Sequence, residues 1–346
     1  MPRAQELADR VERHISGGCT AKQLRELVLA DLRRALPFEG YVFVLTDPVT
    51  RVGTSPMSDL PRLSWPRVPE YIRARYLTPV NRWDDLLGSG ARSLLAATGG
   101  KPERSLIWRE MLRDLGVIDT AAVAFGDRHG CWGYLELFRT GWPPFTSAET
   151  AALTALSGPV ATGLREALGR TFTPPDPPVP PTGPATVILD PELRLRKPTA
   201  AAAAALLRLH PADESMPPVP NSIYNAGAAL VAAEHELPIG PTWARVHLGD
   251  SRWVTVKANR TDGGDIAVTI APSTTAERLD LFARAHALSA RETEVLSLLA
   301  AGFDTHRMAA EMTISEHTVH DHVKAVLAKG GARTRTTVVS RALGIT

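Results

Sequence analysis

Ser289-Ala290-Arg291-Glu292-Thr293-Glu294-Val295-Leu296 reads as the start of one helix, and Ile314-Ser315-Glu316-His317-Thr318-Val319-His320-Asp321-His322 as the turn and start of another. Ser289 is placed to accept from the Glu292 N–H while the Glu292 carboxylate reaches back, a capping box that fixes where the first helix begins. Val295, Leu296, Leu298 and Leu299 then form one apolar face. Gly302 stops that helix, and Asp304 caps the next, whose apolar positions are Met308, Ala309 and Met312. Ile314 fills the turn. Ser315 caps a third helix running from Glu316 to about Lys329, with Val319, Val323, Val326 and Leu327 recurring at helical spacing and facing inward.

The outward face of that third helix is left to His320, Asp321 and Lys324. In a helix-turn-helix the second helix of the motif lies in the major groove with its N-terminal half against base edges, so these three are the expected reading face. Thr305, Ser315 and Thr318, at the starts of the two helices, are expected beside them. Phosphate neutralisation supplies the sequence-independent part of DNA affinity, and Lys329, Arg333 and Arg335 at the helix exit suit it. From residue 317 to 346 five basic residues stand against Asp321 alone, a net of +4. A solvated basic face would explain the charge without any partner; the motif tips the balance towards DNA. His317, His320 and Asp321 at i, i+3 and i+4 could meet around zinc, but a fourth ligand is missing and the groove claims the same face, so no metal is expected.

The stretch Leu288 to Arg341 resembles the C-terminal DNA-binding domain of LuxR-type (FixJ/NarL-type) transcriptional regulators. The residues that carry the resemblance are Arg291, Glu292, Glu294-Val-Leu, Ala300, Gly302, Ala309, Ile314-Ser, Thr318-Val, His322, Lys329, Gly331 and Arg335-Thr336 before Val338. Met308 and Met312 stand where that family prefers Ile and Leu, and His320-Asp321 where a basic residue is usual. Gly330 stands where it prefers Leu, which is expected to remove a core side chain and loosen the helix end. The resemblance implies a four-helix all-α domain, double-stranded DNA as partner, action as a homodimer and a contact with RNA polymerase.

The 346-residue chain has material for two or three cores. Its net charge of +2 confines any nucleic-acid affinity to a local patch. Cys19 and Cys131 are too few for a disulfide framework, the first thirty residues are charged and amphipathic, and no apolar run reaches membrane-spanning length. These features predict a soluble cytoplasmic protein without a membrane partner. From Thr171 to Pro184 seven prolines fall in fourteen residues, which predicts an extended spacer and splits the chain near its middle. A second junction is expected at Ala271–Glu277, followed by a short helix from Arg278 to Ala287. Three modules follow: 1–170, 185–275 and 276–346, with 171–184 as the proline-rich linker.

Residues 1–170 read as α+β. A helix with Leu24, Leu27, Val28, Leu32 and Leu36 precedes the strand Tyr41–Leu45, and a second helix with Leu106, Ile107, Met111 and Leu115 leads to the strand Ala121–Phe125. Asp127-Arg-His-Gly130 turns into a returning strand, Cys131–Phe138, and Thr146-Ser-Ala-Glu149 is a capping box opening a closing helix. This order resembles a GAF domain. The resemblance implies a small-molecule ligand, for which Tyr41, Phe43, Trp108, Phe125 and Trp132 are candidate pocket walls, although aromatics on strands are more often core. Cys131 reads as a small apolar residue on a buried strand rather than a redox site.

Residues 185–275 resemble a PAS domain in element order: strands Thr186–Leu189 and Leu193–Arg196 about an Asp190-Pro191 turn, an alanine-rich helix, a second helix over Asn221–Glu236, then three strands at 242–247, 252–259 and 265–270. PAS and GAF domains commonly sense ligands and dimerise. The expected fold class is therefore multidomain, with α+β GAF-like and PAS-like sensory domains ahead of an all-α helix-turn-helix domain. The expected function is a dimeric, sequence-specific transcription regulator modulated by a signal read upstream. The competing reading is a signalling or interaction protein whose upstream modules bind a ligand or a partner, with DNA binding secondary. No receiver pattern places an acidic phosphoacceptor at the ends of apolar strands. Gly88-Ser-Gly90 and Gly99-Gly-Lys101 lack phosphate-loop spacing, and no nucleophile has a matching base, so neither a cofactor nor an enzyme is expected.

Overall fold

The computed structural model describes residues 2–60, 62–173, 183–209, 221–249 and 252–344. The chain opens with helices α1 (Pro2–Ser16) and α2 (Ala21–Ala35), the second fixed by a Thr20/Gln23 capping box. Strands β1 (Gly40–Thr46) and β2 (Gly53–Asp59) follow, then α3 (Val68–Leu77), the two-residue strand β3 (Arg92–Ser93), a short α4 (Leu94–Thr98) and a π-helical turn at Trp108–Leu112. Strands β4 (Asp119–Asp127) and β5 (Gly130–Arg139) form the hairpin expected from the sequence. Thr146 and Glu149 close the expected capping box over α5 (Ser147–Ala155), and α6 (Ser157–Gly169) continues from it after a break at Leu156. The antiparallel sheet has the order β2-β1-β5-β4-β3.

One face of this sheet, with Phe43, Phe125, Trp132 and Leu135, is buried against α1, α2, α5 and α6. The other face carries Val42 and Val44. Alternation along β1 sends neighbouring residues to opposite sides, so the two sets belong to different cores.

The second sheet consists of β6 (Ala185–Leu189), β7 (Trp243–His247), β8 (Trp253–Arg260) and β9 (Ile266–Pro272), in the order β6-β9-β8-β7. Helices α7 (Ala200–Arg208) and α8 (Asn221–Glu234) lie between β6 and β7 in sequence. The expected strand at Leu193–Arg196 does not form. Only a single bridge joins Leu195 to Leu189, because Asp190 Oδ1 accepts from the N–H groups of Glu192 and Arg194 and Leu193 sits at φ +67°, which folds the segment into a tight turn.

Helix α8 is buried on nearly every side. It packs on β7, β8 and β9 of its own domain and on α3 and β2 of the first. Gly227 meets Leu189 and Leu193 on one side. On the other, Asn225 comes so close to Gly53 that a Cβ there would lie 2.9 Å from its Nδ2. One apolar cluster therefore runs through both domains, from Tyr71 and Ile72 through Ile223 and Ala226 to Val256 and Ile270.

Most of the expected proline-rich linker lies outside the described residues. Its first residues do not: Phe172 is buried, stacked on Trp253 at 5.6 Å and edge-on to Phe282 at 5.2 Å. The second expected junction is a strand end followed directly by a capped helix, since β9 runs to Pro272 and Thr274 boxes with Glu277 to open α9 (Thr275–Ala285). Then come α10 (Ala290–Ala300), α11 (Thr305–Met312), α12 (Glu316–Lys329) and α13 (Arg335–Leu343). Their cluster, with Val295, Leu296, Met308, Val319, Val326 and Val338 fully buried, also takes in Phe172, Trp253 and Phe282.

Candidate functional site

Each helix of the C-terminal unit starts where a side chain can take its first orphan N–H. Ser289 accepts from Glu292, Asp304 from Arg307, Ser315 from Thr318 and Thr334 from Thr337. The Ser315 cap sets the phase of α12: Val319, Val323 and Val326 turn inward, while His320, Asp321 and Lys324 are exposed. Asp321 lies between Lys324 Nζ at 3.7 Å and His317 Nε2 at 3.8 Å. The face thus presents a carboxylate, an ammonium and imidazoles, able to accept and donate at base edges. Thr318 is half-buried behind it, its hydroxyl 2.9 Å from Ser315 Oγ.

The expected phosphate contacts divide. Arg333 is exposed, and Arg335 donates from Nη2 to Thr305 Oγ1 at 2.9 Å, joining the starts of α13 and α11. Lys329 is exposed and also pairs with α10. Its Nζ lies 2.6 Å from Glu292 Oε2 and donates to Ala287 O at 3.2 Å. Burial alone would push the Glu292 carboxyl up, but the bonds from Lys329 and Ser289 outweigh it and hold the carboxyl below its usual range. Lys329 thus links the end of α12 to the start of α10 through an ion pair. One correction concerns Gly330. A Cβ there would lie 2.9 Å from Val338 Cγ2 and 3.1 Å from Phe282 Cζ, so Phe282 of α9 fills the space the missing side chain was expected to leave.

Upstream, a cleft open to solvent lies between the outer face of β1–β2, helix α3 and the N-terminal end of α8. Val42, Val44, Val68, Ile72 and Trp83 make its apolar walls. Arg75, at its floor, pairs with Glu136 at 3.2 Å and lies over the Trp83 ring at 4.6 Å, and Trp83 Nε1 donates to the same carboxylate. A smaller cavity shares Arg75, Tyr76 and Trp83 and adds Arg82, Asp84 and Tyr134, where Tyr134 donates to Asp84 at 2.6 Å. Tyr71 lines the cleft, and its hydroxyl is buried and has no partner among the described residues.

None of the five aromatic residues expected as pocket walls lines this cleft. Phe43, Phe125 and Trp132 are core on the opposite sheet face, and Tyr41 lies on that side too, with Arg33 over its ring. Trp108 donates to Val117 O and packs into the shared core. The aromatics that do line the cleft, Trp65, Tyr71, Tyr76 and Trp83, lie between β2 and β3 in sequence. Cys131 behaves as expected of a core residue: burial pushes its thiol up to about 11.

Residues 286–342 match the sequence model of the luxR family of bacterial regulatory proteins. They form a LuxR-family helix-turn-helix domain. No curated protein matches the chain. Among solved structures, a crystal structure of Escherichia coli SdiA aligns at 15% identity over 94% of this chain and 92% of that one, with a TM-score of 0.33. SdiA in complex with octanoyl-rac-glycerol aligns at 15% identity over 99% and 93%, with a TM-score of 0.29.

The LuxR-family domain is docked on the upstream domains through α9. Arg245 of β7 grips Asp47 of the β1–β2 turn through Nε at 2.7 Å and Nη2 at 3.1 Å, and reaches Asp280 and the Glu277 carbonyl of α9 through Nη1. Arg284 donates to His129 O in the β4–β5 turn, and Arg165 of α6 to Ala285 O. No described helix is long and apolar enough to cross a membrane.

Proposed function

We propose that the chain is a sequence-specific transcription regulator that binds double-stranded DNA as a homodimer through its LuxR-family domain, with occupancy set by a small molecule in the upstream cleft. The observation that carries the DNA reading is the exposed face of α12, where His320, Asp321 and Lys324 stand opposite the buried Val319, Val323 and Val326. A groove-entering helix needs that division. The sheet order β2-β1-β5-β4-β3 supports a GAF-like reading of the first domain. The PAS-like reading of the second rests on element order: one strand, two helices and a three-stranded meander. Dimerisation is supported by the size of the reading unit, since one such domain spans few base pairs and a two-fold pair on sites about 10 base pairs apart doubles the contacts.

The test is selection of the purified full-length chain on randomised duplex DNA, followed by titration of enriched sites at two salt concentrations. Enrichment of an inverted repeat, bound more weakly by Lys324→Ala, is the expected result. Recovery of no sequence above background would sink the proposal.

A further inference from the structure

The cleft is not the property of one domain. Its sheet wall and α3 come from the first, but Ser222 and Asn225 at the start of α8 come from the second, as does Leu209 after α7. Both polar residues are buried, and Asn225 Nδ2 donates to Asn221 O at 2.8 Å, which holds the amide along the wall. Tyr71 lines the same cleft, 5% exposed as a residue, and its hydroxyl is buried and without a partner among the described residues. A buried hydroxyl left unmade costs free energy that a bound group would recover. The arginine and glutamate at the floor already neutralise each other, with Arg75 and Glu136 each 4% exposed at 3.2 Å. An extra charge seated here would be desolvated without compensation.

We propose that this is a composite site: an uncharged, mainly apolar small molecule with one hydrogen-bonding group bridges Tyr71 of the first domain and the Ser222–Asn225 turn of α8, and so fastens the two upstream domains together. The proposal rests on the cleft being a ligand site, as proposed above, and adds that the second domain recognises the ligand. Gly53 makes the arrangement close enough to work, since α8 reaches van der Waals distance of β2 only where no Cβ intervenes. Because α8 also packs on β7, which carries Arg245, a ligand that tightens α8 tightens the strand from which α9 is held.

The probe is Prodan, an uncharged naphthyl ketone whose emission shifts to the blue in apolar surroundings and whose carbonyl can accept from Tyr71. With the full-length chain, saturable blue-shifted binding is expected. Tyr71→Phe and Asn225→Ala should each weaken it by about fivefold, the effect of one hydrogen bond. Hydrogen exchange on the wild type gives a second readout that needs no variant: Prodan should slow the amides of α8 and leave those of α2 unchanged. Saturable binding that Tyr71→Phe weakens, with Asn225→Ala and α8 exchange both unmoved, would overturn the composite site and leave a ligand cleft of the first domain alone. Absence of saturable binding to the wild type would remove the cleft as a ligand site, and the composite site with it.

Discussion

Asp47 Oδ2 lies 2.7 Å from Arg245 Nε, and both side chains are sealed from solvent at 0% and 1% exposure. The two residues are in different domains, and the same guanidinium continues to Asp280 of α9. Removing one member of a buried pair costs up to about 3–5 kcal/mol, whereas replacing both by apolar residues can be nearly neutral; without Asp47 the buried Arg245 keeps only the carboxylate of Asp280, 41% exposed. Asp47→Ala is therefore expected to lower the first unfolding transition in urea. Asp47→Leu combined with Arg245→Met should recover much of the loss. An unchanged transition in Asp47→Ala would show that the pair does not hold the domains.

The two faces of α12 should respond in opposite ways to substitution. Val319 is fully buried, so Val319→Asp places a charge without a partner in the core and should abolish the cooperative melt of the C-terminal domain. His320→Ala and Lys324→Ala should leave circular dichroism unchanged and weaken binding to an enriched site by about 1–3 kcal/mol each. If Val319→Asp melts like the wild type, the helical phase is wrong and the reading face with it.

The C-terminal domain was legible because its signals are local. Ser289, Asp304 and Ser315 each cap the helix they were expected to cap, and each needs only a neighbour three residues on. The β4–β5 hairpin and the Thr146 box were legible for the same reason. Strand β2, Gly-Thr-Ser-Pro-Met-Ser-Asp, was not. It is a polar edge strand containing a proline, which reads as a loop until β1 pairs with it. The cleft was hidden because its walls are brought together by tertiary packing: Tyr71 and Trp83 lie on and after α3, while Ser222 and Asn225 come from α8. Alternation along β1 could have shown that Tyr41 and Phe43 share a face, but not which face the cleft would use.

His286 sits between Phe282, at 4.1 Å between ring centres, and Lys329 O, at 3.0 Å from its Nδ1. Burial drives its pKa from 6.5 down to about 4. A depressed folded pKa means that the unfolded chain takes up the proton first, so stability is fully present above pH 6.5 and is lost as pH falls towards about 4. Thermal melts between pH 7 and pH 4 should therefore show a C-terminal transition that falls more steeply in the wild type than in His286→Gln. Parallel falls would remove His286 from the acid response.

Gly330 has an ordinary helical φ of −77°, so its need for glycine is steric rather than conformational. Gly330→Ala should destabilise the domain by about 1–3 kcal/mol through overpacking against Val338 and Phe282. Phe282→Leu should cost stability alone, yet less in the Gly330→Ala background, where it makes room for the added methyl. Additive effects in chemical denaturation of the four variants would mean that the two positions do not share the space.

Phe172 and Trp253, both from outside the C-terminal unit, cover Phe282 and belong to the same cluster. A fragment of residues 273–346 loses both rings and, with Arg245, the clamp on Asp280. It should therefore melt several degrees below the same domain in the full chain, because an apolar contact worth about 25 cal/mol per Å² is removed from a small core. It should also bind DNA more weakly and with a shallower salt dependence per complex, since one copy neutralises fewer phosphates than two. Sedimentation is expected to find the fragment monomeric and the full chain dimeric on an inverted repeat. A fragment that binds with the full chain's affinity would place both dimerisation and stability within the LuxR-family domain itself.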